Sequence, residues 1–307
     1  MDEGSIAIVP GANPKIRNGD VQYPFRQDSD FRYLTGFDEP NAVFVLIPGR
    51  EHGETLLFCR ERDNEYERWH GHITGPERAM QLFGMDDAFP VSDIDDILPG
   101  LIEGRSKLYY AMGVDRDFDN QVIDWVKKIS QSDHLGAESP GEFVQLDHYL
   151  HELRLFKSAA EIALMKLAAD ATVKGHCRIM QKTQPGMMEY ELEAELIHEF
   201  SINGARHCAY PAIVGGGANA CVLHYVSNNE VLADGDLVLV DAGGEYEGYA
   251  CDLTRTFPVN GRFSESQARV YEVVLRAQDA AIAAVRPGNT WNDPHEAAIR
   301  ELSKGLV

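Results

Sequence analysis

Apolar residues fall along this chain in two rhythms. Short hydrophobic runs come first: "AVFVLIP" at 42–48, "ETLLFCR" at 54–60 and "KLYYAMG" at 107–113. Each is brief and rich in β-branched or aromatic residues, which is the pattern of a strand. In "FDNQVIDWVKKIS" the spacing changes, and Val122, Ile123, Val126 and Ile129 recur at helical intervals. Strands alternating with such helices predict an α/β domain. A Pro-Gly pair at 140–141 interrupts the pattern. The expected organisation is two domains, 1–155 and 156–307.

The second stretch opens with helix signals. Ser158 and Glu161 form a capping box. The helix that follows is expected to bury Ile162, Met165, Ala169 and Val173. Gln184, Pro185 and Gly186 stop it, and "EYELEAELIHEF" reads as a second helix ending at Gly204. Four strand-like runs come next: "AIVGGG", "CVLHYV", "DLVLVD" and "YACDLTRTF". A second capping box, Ser264 with Gln267, opens another helix, which Pro287 and Gly288 end. "DPHEAAIRELSKG" is the last helix, with Gly305 as its C-cap. Cap, helix, Pro-Gly, helix therefore occurs twice, and strands follow only the first copy. That order suggests an internal repeat whose second half is incomplete.

The run "DLVLVD" is apolar enough to be a strand buried on both faces. It ends in Asp241, and "YACDLTRTF" carries Asp252. Between them "GGEYEG" reads as a turn. If Tyr246 and Glu247 are its centre, Asp241 and Asp252 are equally far from it and directly opposed. Opposed residues have Cβ atoms about 4.5–5.5 Å apart, and like charges there repel. A shared proton, one divalent cation or a pair of cations would relieve the repulsion. Two unrelated solvated aspartates on a bulged hairpin would need none of these.

Composition narrows the function classes. The chain has 307 residues, 44% hydrophobic and 25% charged, with a net charge of −21. That charge argues against nucleic acid or an anionic membrane as partner. There is no apolar run of about 20 residues to span a bilayer, and the acidic N-terminus lacks the basic start of a signal peptide. Five cysteines with no C-x-x-C pair argue against a disulfide framework or zinc site, and for the cytoplasm. The glycines at 215–217 lack the lysine of a phosphate loop. Close approach to a peptide backbone is the better reading.

Four stretches, "FRQDSDFRYLTGFDEPNAVFVLIPG", "LHELRLFKSAAEIALM", "YPAIVGGGANACVLHY" and "DLVLVDAGGEYEGYACDLTRTFPVNGRFSESQ", resemble the Xaa-Pro aminopeptidases over nearly the whole chain. The resemblance implies a creatinase-like α/β N-terminal domain and an α+β pita-bread catalytic domain, the latter incomplete here. It implies release of an N-terminal residue that precedes proline, by a centre of two divalent metal ions, usually manganese. Asp241 and Asp252 match metal ligands, and His224 matches a histidine that contacts substrate. Tyr210 is expected to line the pocket for the first residue. Trp69 resembles a tryptophan that can reach an active site, across a subunit contact in a homo-oligomer. The family's other ligands, a histidine and two glutamates, lie beyond the end of this sequence, and His295 reads as a solvated helical residue. The chain is thus expected to be a fragment, binding metal weakly and inactive alone. A non-catalytic module on the same fold, or a prolidase- or creatinase-type enzyme, is the alternative.

Overall fold

A computed structural model describes residues 1–131 and 138–307. The chain forms two compact units, Met1–Lys157 and Ser158–Val307. The first contains β1 (Ser5–Pro10), a small hairpin of β2 (Ile16–Asn18) and β3 (Val21–Gln22), α1 (Ser29–Thr35), β4 (Val43–Leu46) and β5 (Thr55–Cys59). These are followed by α2 (Asn64–His70), α3 (Pro76–Phe83), β6 (Asp87–Pro90), α4 (Ile94–Ile102) and β7 (Lys107–Tyr110). Then come α5 (Arg116–Ser130), β8 (Glu142–Gln145) and α6 (Asp147–Leu155). One mixed sheet runs β6-β5-β4-β1-β7-β8. Ile6, Ile8, Val45 and Phe58 pack on one face with Leu98 of α4 and Trp125 of α5. Ala7, Val9, Phe44 and Leu57 pack on the other with Phe31, Phe37 and Leu150. Both faces are covered, which is why these strands read as unbroken apolar runs. In α5, Ile123 is exposed, and Trp125 joins Val122 and Ile129 in the core instead.

The second unit begins with α7 (Ala159–Lys182) and α8 (Glu189–Ile202). Both expected capping boxes form, Ser158 with Glu161 and Ser264 with Gln267. The buried face of α7 is not the expected one. Ile162, Met165 and Val173 are exposed, and Ala168, Ala171, Thr172, Gly175, His176 and Ile179 are buried. Small residues decide this, because they let α8 come close: a Cβ on Gly175 would lie 2.5 Å from the Phe200 ring. Matching of surfaces outweighed side-chain hydrophobicity.

Six strands follow: β9 (His207–Cys208), β10 (Ile213–Gly216), β11 (Leu237–Asp241), β12 (Gly244–Tyr246), β13 (Tyr249–Ala250) and β14 (Thr254–Pro258). They make two three-stranded sheets, β10-β11-β14 and β13-β12-β9. Helices α9 (Glu265–Ala284) and α10 (Asn292–Gly305) pack on each other, as α7 and α8 do. Gly305 is the last residue of α10 rather than its cap. Its role is close packing, since a Cβ there would lie 2.3 Å from Val273. Strand β11 buries only Val238 and Val240; Leu237 and Leu239 are half-buried on the opposite face. "CVLHYV" is not a strand. It follows a 3-10 turn, Gly217–Cys221, and leaves Val222, Leu223 and Val226 exposed. Among the described residues no helix is long and apolar enough to cross a membrane.

Candidate metal and active site

The register of the central hairpin differs from the expectation by one pair. Leu237 pairs with Pro258 and Asp241 with Thr254. The same register continues past the gap, with Glu245 opposite Ala250 and Tyr246 opposite Tyr249. The turn is therefore Glu247–Gly248, both at positive φ, 49° and 79°. Two such residues make the tight hairpin turn that suits strand twist. Asp252 is thus not directly opposite Asp241 but diagonal to it.

The segment is also not one continuous hairpin. "YACDLTRTF" splits into β13 and β14, with Asp252 in the break. There the backbone amide of Ala242 donates to Leu253 (3.1 Å) and that of Cys251 donates to Gly244 (3.0 Å). The two chains cross so closely that residue 243 must be glycine. Cys251 beside it is half-buried.

The diagonal register still brings the two carboxylates together. The Tyr210 hydroxyl lies 2.5 Å from Asp241 Oδ1 and 3.2 Å from Asp252 Oδ1. The acceptor oxygens are therefore no farther apart than those two bonds laid end to end. Tyr210 precedes β10, which pairs Ile213 with Asp241, so the sheet aims its ring at the end of β11. Burial raises the Tyr210 pKa, and so do the bond to Asp241 and the negative charges of both aspartates. The phenol therefore stays protonated as a donor. Asp241 is half-buried and Asp252 exposed, which leaves one side of the pair open.

Behind Asp241 stands a residue the sequence reading missed. His176 of α7 is 2% exposed, and its Nε2 lies 2.9 Å from the carbonyl oxygen of Ala242. A carbonyl can only accept, so Nε2 carries the proton. Nδ1 is buried without a partner. Burial lowers the His176 pKa; Arg255 lowers it too, while the Ala242 carbonyl and Asp241 oppose. The signal was available as a histidine on the small-residue face of α7, a face not recognised from hydrophobicity.

His224 lies on the irregular segment after the 3-10 turn and is exposed. Trp69 is 81% exposed, on α2 of the first unit. Asp63 caps that helix, and Arg62 meets the Glu67 carboxylate through two bonds, 3.1 and 3.0 Å. His295 is exposed on α10. Among the described residues, no three His, Cys, Asp or Glu side chains converge as a metal-binding group. The glycines at 215–217 answer to internal contacts: a Cβ on Gly216 would lie 2.6 Å from Leu232, and Gly217 has φ of 52°.

Known proteins place this arrangement. The sequence profile "Aminopeptidase P, N-terminal domain" matches residues 1–110, and that of metallopeptidase family M24 matches residues 163–307. The chain is similar to the Xaa-Pro aminopeptidase of Escherichia coli, 41% identical over all of this chain and 70% of the relative. It resembles the solved structure of the Pseudomonas aeruginosa aminopeptidase PepP, 54% identical with a TM-score of 0.99, over 100% of this chain and 70% of that one. It also resembles a zinc-substituted E. coli aminopeptidase P in complex with product, 41% identical with a TM-score of 0.97 over the same shares. The pita-bread assignment of the second unit follows, with the chain spanning about 70% of these relatives. On these matches the chain belongs to the Xaa-Pro aminopeptidases, metal-dependent enzymes that release an N-terminal residue preceding proline.

Proposed function

We propose that Asp241 and Asp252 hold part of a dinuclear manganese centre, and that His224 presents to it a peptide with proline in second position. The observation that carries this reading is the one Tyr210 hydroxyl placed between two carboxylates. A single proton cannot satisfy both, so repulsion remains that a hard cation relieves. The donors are carboxylate oxygens, which suit manganese. When bound, a pair of divalent ions supplies an activated water and polarises the scissile carbonyl.

The chain's own residues do the rest. Tyr210 keeps the carboxylates turned toward each other, and its ring lines the pocket for the first residue. The bond before proline is a tertiary amide without N–H, so recognition falls on carbonyl groups. A ring N–H of His224 is the complementary donor, and it stabilises charge developing on oxygen. Trp69 adds a substrate contact from a second copy in a homo-oligomer. The cytoplasm is the compartment that suits free cysteines such as the exposed Cys177 and Cys221.

Manganese titration of chelator-stripped protein tests the centre. Asp241→Asn and Asp252→Asn should each weaken binding at least about tenfold. Equal affinity in both variants would remove these residues from the site. Xaa-Pro hydrolysis that continues undiminished after complete chelation would remove the metal from the reaction.

A further inference from the structure

Among the described residues, one buried carboxylate is not used by the reaction. Glu189, the first residue of α8, is 0% exposed. Among the described residues no ion pair involves it. Four donors satisfy it. Oε1 accepts from the Gly216 amide (2.8 Å) and the Asn219 side chain (3.1 Å). Oε2 accepts from the Tyr225 hydroxyl (2.7 Å) and the Glu230 amide (3.0 Å). Burial alone would raise its pKa; the bonds from Gly216, Tyr225, Glu230 and Asn219 outweigh that and hold it below the usual carboxylate value. Its place at a helix N-terminus favours the charge as well.

All four donors belong to one segment, and that segment carries His224. The Glu189 backbone amide also donates to the Glu230 carbonyl (3.0 Å), and little else holds residues 222–229. Residues 222–229 have no strand ladder, and Val222, Leu223 and Val226 point to solvent. The other buried anchor is Asn228, at φ of 46°, whose amide accepts from Val214 and donates to Ala212 and Glu193. Asn228 fixes the far end of the segment. Glu189 grips it on both sides of His224, at Gly216 and Asn219 before and at Tyr225 and Glu230 after.

We infer that Glu189 is a positioning residue for His224: its carboxylate substitutes for the missing backbone ladder and apolar packing of residues 222–229. A buried anion with four donors is the required chemistry. An amide in its place presents two N–H groups toward sites that already hold donors, so at least one bond must break. The consequence for substrate rests on the role given to His224 above; the effect on the segment does not.

The test needs no substrate. Histidine-ring NMR of the full chain should show the His224 signal, identified with His224→Gln, as a single sharp resonance. In Glu189→Gln it should shift or broaden, while His198 and His295 stay unchanged. Chymotrypsin cleavage after Leu223 should rise at least about tenfold, the fold-change for about 1.4 kcal/mol of lost closure. Tyr225→Phe removes one of the four bonds and should move both readouts the same way by less, so it serves if Glu189→Gln fails to fold. Glu195→Gln, on the same helix but paired with Arg178, should move neither. In active enzyme the Glu189→Gln change should appear in kcat/KM with manganese affinity unaltered. A folded Glu189→Gln or Tyr225→Phe with unchanged His224 signal and unchanged cleavage overturns the positioning role. A loosened segment with unchanged kcat/KM would leave that role standing and overturn the assignment of His224.

Discussion

The carbonyl oxygen of Cys251 occupies the space where a side chain on residue 243 would begin. A Cβ on Gly243 would lie 1.7 Å from it, closer than any non-bonded contact allows. This crossing lets Asp252 reach the Asp241 end of β11 from a diagonal register. Gly243→Ala must push the two backbones apart. It should cost about 3 kcal/mol or more, the upper part of the overpacking range, and weaken manganese binding with it. Urea unfolding and manganese titration of the variant check both effects. Wild-type stability would mean the crossing is looser than its geometry implies.

That crossing also marks where sequence reading reached its limit. The elements around the site were legible, because β10 and β11 are short apolar runs and the Ser158 and Ser264 caps are local chemistry. The meeting of Asp241 with Asp252 was legible too, although through the wrong pair. The turn was placed at Tyr246–Glu247, whereas the observed hairpin closes through Glu247 at φ of 49° followed by Gly248. No apolar periodicity reports on positive φ. The buried face of α7 was missed because Ala, Gly and Thr carry little hydrophobic signal. Glu189 was missed because nothing in "MMEYELE" says that a glutamate will be buried by donors 27 to 41 residues further along the chain, at Gly216 through Glu230.

Tyr210 should be silent in an alkaline titration that reveals other tyrosines. Burial and two neighbouring carboxylates raise its pKa. A free tyrosine ionises at about 10. Absorbance of phenolate, compared between wild type and Tyr210→Phe at about pH 10.5, should be the same in the two proteins. A deficit of one phenolate in the variant would place Tyr210 away from the negative pair.

His176 sets a pH dependence of stability. Burial lowers its pKa from the ordinary 6.5. The folded protein therefore binds this proton less readily than the unfolded chain. Its contribution to stability is whole above pH 6.5 and declines as the pH falls below it. For one proton the slope is at most about 1.4 kcal/mol per pH unit. Urea unfolding from pH 7.5 downward, within the range where histidine titrates at about 6.5, should show this loss. His176→Gln keeps an N–H for the Ala242 carbonyl and should flatten the curve. Parallel curves would show that His176 is free to protonate in the fold.

Cysteine labelling separates the buried thiol of the first unit from the surface ones. Burial pushes the Cys59 thiol up to about 12; the charge of Glu39 adds to this and Arg60 opposes it. Cys59 sits at the end of β5 and is 0% exposed, among Phe31, Phe37 and Leu57. The thiolate is the reactive form, so Cys59 lacks both access and ionisation at neutral pH. Cys177 and Cys221 are exposed and should react with iodoacetamide within minutes to hours at about pH 8. Cys59 should be modified only after the β1–β4–β5 sheet opens, so its labelling rate in dilute urea should follow the unfolding of the first unit. Peptide mapping with time resolves the three sites. Labelling of Cys59 as fast as Cys177 in native buffer would show that the sheet edge near Cys59 opens without unfolding.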